Sequence, residues 1–274
     1  MITFVKLLNG LFDLIFAPFK NMAPVWGITV VSLITGVVML IIFRYTSNQE
    51  GIKNTKEKIK GYLLEVRLFN HDLQQMLKSQ KKILRTNLTY MRYSVTPMLV
   101  MIIPVIFILV QLDSRYAYRP LKEGEKTIVC LKLDDGILIN NADIELELPK
   151  GLKLDAPPLR IERENEIDWR LRVEKSGNYK LTFIVNGKRY EKKLLAENIL
   201  QRVGAEKEKV NFEHILLTPA ETPFPSDSPI EEVRINYPEM NLTFWGVEIH
   251  WLIVFFVLSI ISAFGLKDVF KVQV

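Results

Sequence analysis

Apolar residues recur along this chain in three rhythms, and each rhythm predicts a different element. The first is unbroken. Residues 24–43, 93–112 and 247–266 are apolar runs without an internal charge, except for Glu248 at the edge of the third. A hydrocarbon layer about 30 Å thick is crossed by about 20 helical residues, so each run predicts a membrane-spanning helix. A buried core helix of a soluble protein is the alternative, but it usually keeps a polar face. Trp26, Trp245 and Trp251 stand near the ends of these runs, where indole rings favour the water–lipid interface.

The second rhythm is helical and amphipathic. Residues 3–20, TFVKLLNGLFDLIFAPFK, place Lys6, Asn9, Gly10, Asp13, Ala17 and Lys20 at helical spacing among Leu, Ile and Phe. The pattern predicts a helix over residues 1–22 that lies in the membrane interface. A cleaved signal peptide is the rival reading, opposed by Asp13 in the apolar stretch and by the lack of a small-x-small cleavage site. Pro18 and Pro24 permit a sharp turn into the first span. Between the first two spans, Ile52, Ile59, Val66 and Leu73 are seven apart, with Leu63, Leu77, Leu84 and Met91 at a second apolar position. That is coiled-coil spacing. A straight helix of about 50 residues would run about 75 Å from the membrane, so residues 44–92 are expected to fold back as an antiparallel hairpin. The polar cluster Asn70, His71 and Asp72 is the expected turn, with 78–82 as the alternative.

The third rhythm has period two. Residues 127–132, 143–148, 159–163, 167–173, 179–185 and 189–194 read as short strands, with turn signals such as Asn186-Gly187 between them. Their number and length predict an immunoglobulin-like β-sandwich over 120–197 with Trp169 in its core. Residues 198–243, rich in proline and acids, read as an extended tether to the third span. The predicted fold class is thus an integral membrane α-helical protein with three spans, a helical hairpin and an inserted all-β sandwich.

Charge assigns sides to this topology. Residues 44–95 carry eleven basic and four acidic side chains, net +7, whereas 113–243 carry 21 basic and 24 acidic, net −3. The positive-inside rule then puts the hairpin and the tail 267–274 in the cytoplasm, and the N-terminus and 113–243 outside. Arg115, Arg119, Lys122 and Lys126 run against the rule, because they follow the second span on its outer side. The expected location is the plasma or inner membrane, with multiple passes.

Candidate chemistry is sparse. Cys130 is the only cysteine, so no intramolecular disulfide forms. His71, His214 and His250 lie on separate segments without metal-ligand spacing. Neither catalytic residues nor a cofactor, a metal or a specific nucleic-acid partner is expected. Within the spans, Thr29, Ser32 and Gly36 form one small, mildly polar stripe, and Ser259 and Ser262 another. Small residues let helices approach closely. The same stripes could also line a shallow polar groove with Arg44 at its cytoplasmic mouth and Arg92 near the start of the second span.

The order of these parts, with the wording LFDLIFAPFKNMAPVWGI and then IFRYTSNQEGIK, resembles the three-helix core of the YidC-type insertase superfamily. That group includes archaeal YidC-like proteins and insertase subunits of the endoplasmic reticulum. The resemblance covers residues 1–112 and 244–270 and is architectural. It implies a non-enzymatic insertase or membrane-protein assembly factor, with Arg44 as the groove arginine. Lys53, Lys56, Lys60, Lys78, Lys81, Lys82 and Arg85 would form the hairpin surface that receives nascent membrane proteins or the ribosome. A second membrane subunit would close so small a bundle. The other reading is a membrane-anchored accessory subunit whose external domain recognises a partner.

Overall fold

The computed structural model describes residues 2–69, 71–134, 136–140, 142–211, 220–244, 246–270 and 272. Asn70, His214, Trp245 and the side chain of Lys6 lie outside that set. Five α-helices occur among the described residues: α1 (Ile2–Phe16), α2 (Pro24–Thr46), α3 (Gln49–Leu68), α4 (Leu73–Tyr116) and α5 (Trp251–Leu266). Strands β1 to β7 are Lys126–Leu133, Ile144–Glu147, Leu152–Leu154, Leu159–Ile161, Glu166–Val173, Gly177–Val185 and Lys188–Ala196. Strands β8 to β11 are Glu206–Glu208, Ile230–Ile235, Asn241–Phe244 and Val247–His250. The chain falls into two compact units, one formed by 1–27 and 109–251 and the other by 28–108 and 252–274.

In the first unit, all strand pairing within the sheets is antiparallel. The larger sheet runs β3-β5-β1-β9-β8, with β4 also on β5, and the smaller runs β2-β6-β7. Alternation decides which face is buried. Val129 and Leu131 of β1, Ile167, Trp169 and Leu171 of β5, and Leu181, Phe183 and Val185 of β6 share one apolar core. There Trp169 meets Phe183 at 5.7 Å between ring centroids. The turn at Asn186-Gly187 has positive φ at both residues, the backbone that a two-residue hairpin between twisted strands needs.

Of the segment 198–243, residues 212–219 lie outside the described set, and the rest is not a tether. It contains β8 and β9, and β9 pairs along β1 inside the larger sheet. Ile230, Val233 and Ile235 are buried in the common core. The first two are three residues apart, which a regular strand would send to opposite faces. A register shift between Lys132 and Leu133 of β1 lets both point inward. The run 247–266 also divides differently from expectation. Val247–His250 pairs with β10 as a hairpin, which takes Glu248 out of the apolar segment, and the helix begins only at Trp251. Its 16 residues extend about 24 Å, less than a bilayer core. Among the described residues two helices, α2 and α4, are by length and composition long and apolar enough to cross a membrane.

In the second unit, the chain turns between Leu68 and Leu73, at the expected polar cluster. Asp72 caps α4 by accepting the backbone N–H groups of Gln74 and Gln75 at 2.9 and 3.1 Å. Asn48 does the same for α3 through Gly51 N–H at 2.8 Å. Contacts Glu65–Ser79, Tyr62–Lys82 and Lys56–Tyr90 fall on α3 as they rise on α4, so the two arms are antiparallel.

One core position of the β-unit is ionisable. Lys192 of β7 is buried, donates to the Gly204 carbonyl at 2.6 Å and pairs with Glu221 at 3.3 Å. Burial draws its pKa down to about 8 against the attraction of Glu221. A depressed lysine pKa means the unfolded chain holds the proton more tightly than the folded one between about pH 8 and the ordinary lysine value of about 10.4. Stability from this group therefore rises with pH across that window and is lowest below it. The unfolding free energy of the wild type minus that of Lys192→Met should increase by about 1–2 kcal/mol between pH 7.5 and 9.5, measured by denaturant titration. A flat difference would contradict this assignment.

Candidate functional site

The sequence nominates two groups of residues, on the hairpin and on the apolar helices, and the structure treats them differently. On the helices, Ser32 is fully buried and its hydroxyl donates back to the Ile28 carbonyl at 2.7 Å. Ser259 donates to the Phe256 carbonyl at 3.0 Å. Ser262 reaches across from α5 to the Leu33 carbonyl of α2 at 3.0 Å. Gly36 explains the close approach, since a Cβ there would lie 2.5 Å from the Ser259 carbonyl oxygen and 2.7 Å from the Ser262 Cβ. The structure thus brings Ser32, Gly36, Ser259 and Ser262 together as a helix-packing seam, with Thr29 half-buried one turn earlier. Arg44 and Arg92 are exposed, and neither has a contact with the stripe among the described interactions.

On the hairpin, Lys53, Lys60, Lys78, Lys81, Lys82 and Arg85 are exposed and Lys56 is half-buried against the Tyr90 ring. The heptad expectation is half right and needs correction. Ile52, Ile59 and Val66 do face inward on α3. The less exposed positions of α4 are Met76, Ser79, Ile83, Thr86 and Tyr90, one residue before the expected ones. Leu73, the fourth of the series that begins at Ile52, and Leu63, Leu77, Leu84 and Met91, each more than half exposed, lie outside the seam. The seam instead holds polar contacts: Ser79 donates to Glu65 at 2.8 Å, and Lys82 pairs with the same carboxylate at 3.3 Å. The Ser79 bond is the chief cause holding the Glu65 pKa below its usual range. The hairpin therefore presents an apolar row beside its cations.

Two further arrangements escaped the sequence reading. In α1, Phe12 and Phe16 are buried and Asn9 and Asp13 turn inward with them, whereas Leu7, Leu11 and Leu14 are exposed. Asn9 accepts from Gln111 at 2.6 Å. Asp13 is clamped by Arg115 at 2.6 Å and Arg202 at 2.8 Å. Beside it, Phe16 stacks obliquely on Tyr116, whose hydroxyl donates to the Pro24 carbonyl at 2.9 Å. Partners 102 and 189 residues away in sequence leave no local signature.

The other lies on the outer face of the larger sheet. Cys130 of β1 stands opposite Asp168 of β5, with Glu166 two residues along, and their donor atoms all lie within 4.8 Å of one another. One sulfur and two carboxylates are a donor set that a divalent ion could use. Arg234 stands opposite Cys130 on β9, however, and puts a fixed positive charge beside them. The Cys130 thiol donates to Glu166 at 3.0 Å. Burial, then that carboxylate, push its pKa well above the usual thiol value, which leaves a protonated, weakly nucleophilic cysteine.

Asp13→Asn should cost about 1–2 kcal/mol, because it strips the counter-charge from the buried Arg115 while Asp13 itself is partly solvated. Arg202→Gln should cost less. The check is thermal unfolding of the detergent-solubilised chain. At the helix seam, Gly36→Val should separate α2 from α5, abolishing disulfide crosslinking of a cysteine pair placed at positions 33 and 262, whereas Gly61→Val, where nothing crowds the added atoms, should leave it intact. No family model, curated protein or solved structure matches this chain.

Proposed function

We propose that this chain is a membrane-protein insertase or assembly factor, non-enzymatic, in which the hairpin of α3 and α4 receives apolar client segments. The observation that carries the reading is the exposed row Leu63, Leu77, Leu84 and Met91 next to exposed Lys53, Lys60, Lys78, Lys81 and Arg85. A hairpin built only to stand in water would bury its leucines. Leucines that face outward among cations suit a transient partner that is itself apolar and flanked by acidic or phosphate groups. No nucleotide hydrolysis enters this scheme. A charged or polar client tail would cross beside the short helix α5, with Arg44 at the mouth of the path.

In this reading α2, α4 and α5 are the three spans of an inner-membrane protein, the hairpin is cytoplasmic, and the β-unit is external. That orientation follows from the excess of Lys and Arg in the hairpin. The cations that follow α4 oppose it, although Arg119 pairs with Glu125, and Arg115 and Lys126 share Asp13 and Asp155 with other arginines. The resemblance to the YidC-type superfamily points the same way. A second membrane subunit would complete the bundle.

A second reading rests on strand order. In the larger sheet β3/β4-β5-β1-β9 and in the smaller β2-β6-β7 correspond to strands D-E-B-A and C-F-G of an immunoglobulin-like sandwich, with β9 in the place of the first strand. Such domains commonly serve recognition, which favours an accessory subunit that binds an external partner.

Photo-crosslinkers at Leu77 and Leu84, and separately at Leu138 and Leu159 of the β-unit, discriminate the two in living cells. A ladder of nascent membrane proteins captured from the hairpin, lost when Lys53, Lys60, Lys78 and Lys81 are replaced by Gln, is the expected result. One stable neighbour captured from the β-unit, with no nascent chains on the hairpin, would overturn the insertase reading in favour of the accessory one.

A further inference from the structure

Two cavities of about 300 and 290 Å³ lie in the unit formed by 1–27 and 109–251, and they share Lys20, Arg115, Leu200 and Gln201 in their walls. The first adds Arg119, which Glu125 already pairs at 2.9 Å, and the second adds Lys193 and Arg202 with Asp13 and Glu221. The charges do not cancel. Two guanidiniums, Arg115 and Arg202, share the single carboxylate of Asp13, and Glu221 is already paired with the buried Lys192. Lys20 and Lys193 are exposed and have no ion pair among the described residues. Converging cations of this kind repel one another and are relieved by an anion with several acceptor oxygens.

The surroundings specify how that anion arrives. Pro24, in the first turn of α2, and Arg115, in the last turn of α4, both line the first cavity. The opening therefore sits at the ends of the two apolar helices. Met22, in the wall of the first cavity, and Trp26, two residues beyond Pro24, expose their apolar side chains there, while Leu7, Leu11 and Leu14 are exposed on the face of α1 turned away from Asp13 and Phe16. An exposed methionine and tryptophan at the mouth of a basic cavity, following a helix whose outer face is a row of leucines, suit a lipid whose phosphate enters the cavity and whose apolar part stays outside it.

We propose that this cavity pair holds the phosphate of an anionic phospholipid from the leaflet in which α1 lies, and that its acyl chains leave past Met22 and Trp26. Lys20 and Lys193 close on the phosphate, while Arg115 and Arg202 supply the fixed positive field. The site rests on reading α2 and α4 as membrane-crossing, but not on any insertase activity.

The test is native mass spectrometry of the full chain, extracted in mild detergent and titrated with phosphatidylglycerol. Wild type should retain one lipid, and Lys20→Glu combined with Lys193→Glu should lower its occupancy at least tenfold. Lys153→Glu, on an exposed strand position remote in sequence from the cavity residues, should leave occupancy unchanged. Lys20→Gln alone, which should lower occupancy severalfold, serves as the second variant if the double reversal fails to fold. Equal occupancy in wild type and variants would overturn the site. Inorganic phosphate that stabilises the chain as strongly as the lipid would make it a free-anion site and overturn the lipid assignment. A chain that is recovered soluble without detergent would remove the membrane premise, which separates that failure from failure of the lipid site.

Discussion

Arg115 ends an apolar helix with its side chain only 2% exposed, and a guanidinium buried so deeply must be met by acceptors or cost several kcal/mol. It donates to the Gln111 carbonyl at 2.9 Å, to the Gln111 side chain at 3.1 Å and to Asp13 at 2.6 Å, and it lies 4.9 Å from the centre of the Phe16 ring. Asp13 and Phe16 are three residues apart, hence on one face of α1. The requirement to meet Arg115 therefore fixes the rotation of α1 about its axis. Once Asn9, Phe12, Asp13 and Phe16 face inward, the helical period sends Leu7, Leu11 and Leu14 outward. A polar interaction thus leaves three leucines unburied, each worth about 2 kcal/mol if removed from water. An apolar medium around α1 removes that cost, and this links a charge pair to the membrane reading of the whole chain.

The β-unit obeys the same logic of satisfying a central element from distant sequence. Strand β1 is paired on one side by β5 and on the other by β9, which arrives about a hundred residues later. Without β9 the backbone of β1 would be a free edge and the core would lose Ile230, Val233 and Ile235. Lys192 marks where the core meets the returning chain: its ammonium binds the Gly204 carbonyl and Glu221, both within residues that precede β9. Gly204 and Glu221, between β7 and β9, are consequently part of the fold. Cutting the domain at residue 197 would remove a strand and a buried counter-charge together.

What the sequence makes legible follows the range of the interaction. Local patterns sufficed for the apolar helices α2 and α4, for the turn at Asp72 and for six of the strands, because periodicity and capping act over a few residues. Strand β9 was hidden by its own irregular spacing, since the bulge that puts Ile230 and Val233 on one face is a property of the pair with β1. Its flanking Pro229 and Pro238 then read as a tether. The start of α5 was misplaced because Val247 and Ile249 are as apolar in a hairpin as in a helix. At the candidate site the cation-rich hairpin was visible as composition. The clamp on Asp13 and the grouping of Cys130 with Glu166 and Asp168 were not, because each joins residues on separate elements. Asp13 did leave one trace, as a charge within an apolar run.

The hairpin shows most clearly why a correct period can give a wrong face. Two apolar stripes run along α4, one through Met76, Ile83 and Tyr90 and the other through Leu77, Leu84 and Met91, a single residue apart. Periodicity alone favours the second, whose side chains are the more apolar. The fold turns the first stripe toward α3, where Ser79 and Lys82 meet Glu65 on the side of Met76 and Ile83. The seam thus carries a polar contact, as some coiled-coil seams do, and the more apolar stripe lies at the surface. The two stripes are separated by about 100° of rotation of α4. The exposed row is the complement of a seam that includes this polar contact, and the surface that suits an apolar client exists because the hairpin does not pack in its most apolar way.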